Sequence, residues 1–249
     1  MSADANDGSP ATGRPHAPTR SRAATSTERF QVLSQLMAAR SSCRGFESRA
    51  VPRPVIELIL REAQRTASWC NAQPWQVTVV SGASVDSLRE ALLECAKTET
   101  AAPDLDWPRE YRGVYQDRRR VCGWGLYEAV GVVKGDRAAS ARQADQNYAM
   151  FGAPHVAIVS TDEALGTYGA VDCGAFVSNF MLLAASLGVA TVAQAALSAH
   201  PRVLRERLGI SSERLILCGI SFGYADESHP ANRFRTERAR PAEVVTWRE

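Results

Sequence analysis

The sequence predicts one α+β domain in which helices flank a central mixed β-sheet, and three observations carry that prediction. Apolar stripes at helical spacing alternate with short apolar runs of strand length. The 249 residues are 45% hydrophobic, enough for one sizeable core. Helices and strands alternate along the chain, which suits one layered unit better than two domains.

Each element has its own signal. Residues 1–25 are rich in Ala, Ser, Thr, Pro, Gly and Arg and lack an apolar period, so they read as a flexible tail before a single domain over 26–249. Ser26 or Thr27 can cap a first helix carrying Phe30, Leu33, Leu36 and Met37 at three- and four-residue spacing. Pro52 and Pro54 announce a second, with Val55, Ile56, Ile59, Leu60 and Ala63 on one stripe. Trp75, Val77 and Val79 alternate into a strand that ends at Ser81-Gly82, and a third helix is expected from about Ser84 to Ala96. From Lys97 to Gln146 the apolar period disappears, the mark of a lid or binding loop. Val156–Val159 then suits a buried strand, and Gly169–Leu187 a central helix stopped by Gly188, apolar nearly all round. Its small residues Gly174, Ala175, Ser178, Ala184 and Ala185 suit either close approach by a second subunit or ordinary core packing. Val189–Ala193, a helix over Pro201–Leu208 ended by Gly209, and a strand over Leu215–Ser221 complete the alternation.

Composition removes several function classes. Twenty-nine Lys and Arg against 27 Asp and Glu leave a formal net charge of +2, so no global field favours nucleic acid or an anionic membrane. No continuous apolar run of about 18 residues and no secretory leader are visible, which points to the cytoplasm. Cys43, Cys70, Cys95, Cys122, Cys173 and Cys218 are scattered, without a C-x-x-C pair or a histidine at ligand spacing; they read as reduced, mostly buried thiols, and no metal is expected. Hydrolase triads, P-loops and the dinucleotide fingerprint are also missing. The four histidines, His16, His155, His200 and His229, read as structural.

What remains is a set of anion-binding groups. Arg40, Ser42 and Arg44 end the first helix, where guanidinium forks and a hydroxyl can hold a phosphate or a ring edge, or complement the helix dipole. A second basic cluster runs from Asn232 to Arg238; its plain alternative is a solvated loop. Ala67–Trp75 mixes amides with two tryptophans, which suggests a ligand-facing loop or a turn packed by Trp75.

In order along the chain these pieces resemble the nitroreductase family. Arg40-Ser41-Ser42-Cys43-Arg44-Gly45-Phe46 is similar to its R-x-S-x-R-x-F motif, and Ser68–Trp75 to its S-x-x-N-x-Q-P-W loop. Phe151–Pro154 is similar to its F-x-A-P lead into a strand, and Asn232–Arg238 to its N-x-F-R-x-x-R phosphate site. The resemblance implies an obligate homodimer with FMN bound at the interface and a C-terminal extension, Val244–Trp247, embracing the partner. It implies ping-pong hydride transfer from NADH or NADPH to a nitroaromatic or related small-molecule acceptor. Other flavin reactions on the same fold (reductive dehalogenation, flavin fragmentation, heterocycle oxidation) and a non-enzymatic flavin carrier are the alternatives. By position, Arg40, Ser42, Arg235 and Arg238 should hold the phosphate and ribityl chain, with Arg44 at the pyrimidine edge and Ser41 also in the cofactor-binding set. Trp69, Gln73 and Gln146 join this cofactor-binding set, and Ser68 and Asn71 should come from the other subunit. No catalytic side chain is expected; Ala193, Gln194 and Ala195 fall where a backbone amide meets flavin N5. Gln194-Ala195 stands where many members have an acidic residue and glycine, and Ala67-Ser68-Trp69 departs from the usual Pro-Ser-Ser.

Overall fold

The computed structural model describes residues 24–249; the tail expected over residues 1–25 lies almost wholly outside the described residues. The sheet-bearing unit is Leu36–Glu249. In chain order the elements are α1 (Ser26–Ala39), α2 (Arg53–Ala63), β1 (Gln76–Ser81), α3 (Ala83–Thr98), α4 (Val114–Ala129) and α5 (Arg137–Asp145). They are followed by β2 (His155–Asp162), α6 (Gly166–Ser186), β3 (Ala190–Gln194), α7 (Pro201–Leu208), β4 (Arg214–Gly223) and the short α8 (Pro241–Val244).

The four strands pair in the order β1-β2-β4-β3, every pair antiparallel. The sheet is therefore mixed only through one isolated parallel bridge, Ser42 to Thr191, on the free side of β3. β2 is buried almost throughout, and its residues alternate between two cores. Ala157 and Val159 face Ile56, Ile59, Phe176 and Phe180 of α2 and α6. Val156 and Ile158 face Val85, Leu88, Leu92 and Leu204 of α3 and α7. A register shift between Val159 and Ser160 lets Ile216 and Ile220 of β4, an even number of residues apart, join opposite cores.

Several expectations need correction. α1 is capped by Thr25, not Ser26 or Thr27: the Glu28 N–H donates to Thr25 Oγ1 at 3.2 Å and the Thr25 N–H to Glu28 Oε2 at 2.6 Å. The aperiodic 97–146 stretch contains two helices, α4 and α5, neither with a buried residue; having no core face, they have no apolar stripe to read. Only three of the six cysteines are buried, Cys43, Cys95 and Cys173. α6 buries one stripe (Cys173, Phe176, Phe180, Ala184) and leaves Gly174, Ala175 and Ser178 exposed on another face, so it is central on one side only. Glu163–Ser186 is long and apolar enough, by composition, to cross a bilayer, although it holds no continuous apolar run of spanning length.

His155 ties β2 to its surroundings. Its Nε2 accepts the Val51 N–H at 2.9 Å, so the ring proton sits on Nδ1, 2.6 Å from Ser81 Oγ. Burial holds its pKa below the ordinary 6.5. The unfolded chain then binds the proton more readily, so this contribution to stability is complete above pH 6.5 and is lost as pH falls through the folded value. We predict a fall in thermal midpoint on acidification below pH 6.5 that is steeper in the parent than in His155→Asn; parallel pH profiles would contradict it.

Candidate active site

The site is built on the edge of the sheet. The Cys43 N–H donates to Thr191 O at 3.0 Å, the Glu47 N–H to Tyr224 O at 2.9 Å, and the Asp226 N–H to Gly45 O at 3.0 Å. Residues 42–47 are thereby held extended along β3 and the end of β4. Extended backbone sends alternate side chains to opposite sides. Cys43 points inward, its thiol donating to Gly45 O at 3.1 Å and its pKa raised by burial. Ser42 and Arg44 face a cavity of about 270 Å3 that Arg40, Ser41, Arg235 and Arg238 also line.

Asn232 joins the early and late motifs. Its Oδ1 accepts the Arg44 N–H at 2.7 Å, while its Nδ2 donates to Gly45 O at 2.7 Å and Asp226 O at 2.9 Å. Two basic segments far apart in sequence thus converge on one cavity. Among the described residues, Arg40, Arg44, Arg235 and Arg238 form no ion pair with any carboxylate. The guanidiniums of Arg44, Arg235 and Arg238 spend protons on nearby oxygens instead, as Arg235 does on the carbonyls of Asn232 and Phe234 at 2.6 and 2.9 Å. Burial lowers the pKa of Arg44, yet an arginine stays charged in a protein. Four uncompensated cations around one small cavity form a receptor for an anion with several oxygens, such as a phosphate monoester.

A second cavity of about 570 Å3 shares Arg44 and is lined by Gln146, Arg142, His229 and the turn at Val130–Val132. The His229 Nδ1 itself is buried and has no hydrogen-bond partner. Both cavities border the 97–146 segment: Cys122 of α4 lines the first, Arg142 and Gln143 of α5 the second. α4 approaches closely because Gly125 lies on the Phe234 ring, where a Cβ would collide.

Backbone strain concentrates in two segments. Cys70, Asn71, Gln73, Met150 and Phe151 have positive φ, and no other described non-glycine residue does. Such residues cost on the order of 1–3 kcal/mol each and persist where the surroundings over-determine them. The first three belong to the Ser68–Trp75 loop, in which Ser68 Oγ accepts the Gln73 N–H at 3.0 Å and the Trp69 N–H donates to Asp172 Oδ2 at 3.0 Å.

This arrangement can be set beside known proteins. The profile of the nitroreductase family matches residues 37–224. The chain belongs to the nitroreductase family. It is similar to the nitroreductase NfnB of Mycolicibacterium smegmatis, 34% identical over 219 residues, covering 87% of this chain and 93% of the relative. It is also similar to a 4-nitrobenzoate reductase of Pseudomonas putida, 31% identical over 204 residues, covering 82% and 89%. Among solved structures, the FMN-dependent nitroreductase NfnB from Mycobacterium smegmatis in complex with NADPH superposes with a TM-score of 0.85 at 32% identity, covering 89% of this chain and all of that one, 100%.

The residues expected from sequence fall into three groups. Arg40, Ser41, Ser42, Arg44, Arg235 and Arg238 line one cavity, and Gln146 the adjoining one. Ser68, Trp69, Asn71 and Gln73 line neither; Trp69 packs edge-on against Tyr168 beside a separate depression. Ala193 and Ala195 are exposed, but the Gln194 side chain is buried, its Nε2 donating to Asn147 O at 2.9 Å and its Oε1 accepting from Ser221 Oγ at 2.5 Å, so only its backbone can meet a ligand. Cys122, Arg142 and His229 were not legible as site residues, because nothing in their local sequence marks a cavity wall. Asn232 stood in the motif, but only the fold shows it as the clamp between Arg44 and Gly45.

Gly45 offers a direct test of that geometry. A Cβ there would collide with the His229 ring. Gly45→Ala should cost about 1–3 kcal/mol as overpacking, and His229→Ala in the same chain should recover part of the loss. Urea denaturation of the two single variants and the double variant measures the coupling; strictly additive effects would contradict the contact.

Proposed function

We propose that this protein is an FMN-dependent nitroreductase that takes reducing equivalents from NADPH and delivers them to a nitroaromatic acceptor. The observation that carries the reading is the cage of four guanidiniums, none paired with a carboxylate, around one cavity. The phosphate monoester of FMN matches Arg40, Arg235, Arg238 and the Ser41–Ser42 hydroxyls, and the polar pyrimidine edge of its ring matches Arg44 and Gln146. FMN supplies the hydride-accepting ring; the chain supplies orientation, charge and a bounded space. Arg44, which lines both cavities, would stabilise negative charge on the pyrimidine side. The buried Gln194 side chain fixes the backbone of Ala193–Ala195, from which an amide would meet the ring. The helical 97–146 segment borders both cavities and bounds the space for the acceptor. The relatives' dependence on NADPH favours NADPH over NADH.

We further propose a homodimer with a swapped C-terminal extension. α1 buries no residue, with Phe30 71% and Met37 61% exposed, and Trp247 near the C-terminus is 82% exposed. Together with the bare small-residue face of α6, this is more apolar surface than a monomer ordinarily leaves to water. A second copy would cover it and bring Ser68, Trp69, Asn71 and Gln73 to the site. Six unpaired thiols favour a reducing, cytoplasmic location.

The reaction is tested by anaerobic stopped-flow: NADPH should bleach the flavin absorbance and 4-nitrobenzoate should restore it. No bleaching by either nicotinamide cofactor would overturn the oxidoreductase reading, and bleaching without recovery by any nitro compound would overturn the acceptor class. For the assembly, light scattering should give twice the chain mass at micromolar concentration, as expected for an interface above about 2,000 Å2; a stable flavin-loaded monomer would refute it.

A further inference from the structure

On the side of the sheet where α3 and α7 pack, the fold assembles three metal-ligating side chains that no part of the proposed reaction uses. Cys95 lies in the last turn of α3, Glu99 follows that helix, and His200 immediately precedes α7. Their ligand atoms lie within 4.8 Å of one another, with Cys95 and His200 buried and Glu99 exposed. In sequence the cysteine and the histidine are remote, which is why their spacing gave no metal signal.

We propose that Cys95, Glu99 and His200 form a binding site for Zn2+ or a similarly borderline-soft divalent cation. One sulfur, one imidazole nitrogen and one carboxylate are a ligand set that zinc accepts, whereas magnesium and calcium select oxygen alone. A thiolate and a carboxylate neutralise the dication, the thiol proton leaving to solvent, and water completes a four-coordinate shell. Metal–ligand bonds of about 2.0–2.3 Å in a tetrahedron place ligand atoms about 3.3–3.8 Å apart, so the cluster needs only a small contraction. Glu99, exposed at a helix end, is free to supply it. Arg202 holds Glu99 at 2.5 Å but also contacts both carboxylate oxygens of Glu206 at 2.9 Å, so it keeps a partner when Glu99 turns to the metal. The two segments that carry the ligands are already fastened by the Ala102 N–H donating to Ala199 O at 2.9 Å. A bound ion would therefore staple the end of α3 to the start of α7. It would also sit beside Tyr148, whose ring lies 5.7 Å from that of His200 and two residues from Gln146.

The test uses the full flavin-loaded chain with Zn2+ itself as the probe, followed by exhaustive dialysis, metal analysis and zinc-edge X-ray absorption. The parent should retain one Zn2+ per chain with a single sulfur ligand. Cys95→Ala and His200→Asn should abolish retention, and Glu99→Gln should weaken affinity about tenfold or more, the scale on which even indirect supports of a metal act. No retained zinc in the parent would overturn the proposal, as would a signal without sulfur or equal retention by Cys95→Ala and His200→Asn. Should the buried variants fail to fold, Glu99→Gln at the surface decides: unchanged affinity overturns the site, weakened affinity upholds it.

Discussion

Asn232 spends its whole side chain on the backbone of other segments, accepting the Arg44 N–H and donating to the carbonyls of Gly45 and Asp226. Because residues 42–47 are also held along β3 and the end of β4, this amide fixes where two arginine-bearing segments meet. Neither segment could hold such a geometry alone. A short extended stretch at a sheet edge has only half its backbone satisfied, and the coil from Arg233 to Arg240 has no ladder at all. The cavity, its charge and the placement of Arg44 all follow from that join.

The join also explains why so much positive charge is tolerated. Guanidiniums that find only neutral oxygens leave a strong local field, and their mutual repulsion works against the compact state. A ligand that binds only the folded chain offsets that cost by mass action, so cofactor and stability should be linked. Strain is placed with the same economy. Among the described residues, the left-handed non-glycine positions are confined to the Ser68–Trp75 loop and to Met150–Phe151 at the lead into β2, while the two cores carry none outside the latter pair.

The layered fold was largely legible because its elements carry their own periods: α2, α6 and α7 begin and end close to where proline, glycine and apolar stripes placed them. The 97–146 segment was not, because helices without a core face leave no apolar signature. The cationic side of the site was legible as two basic motifs, although their convergence depends on pairing across the sheet that local sequence does not encode. His229, Cys122 and the Cys95–Glu99–His200 cluster could not be read at all, since each acquires its role only from chain segments brought together by folding.

The guanidinium cage is most directly tested by comparing FMN with riboflavin, which has the same ring and ribityl chain but no phosphate, in fluorescence titrations of the flavin-free protein. Charge-assisted hydrogen bonds contribute roughly 1.5–3 kcal/mol each, so losing two should make riboflavin bind at least about a hundredfold more weakly. The gap should narrow at high salt, since Arg235 and Arg238 are exposed. Equal affinities for the two flavins would contradict the assignment of Arg40, Arg235 and Arg238 to the phosphate.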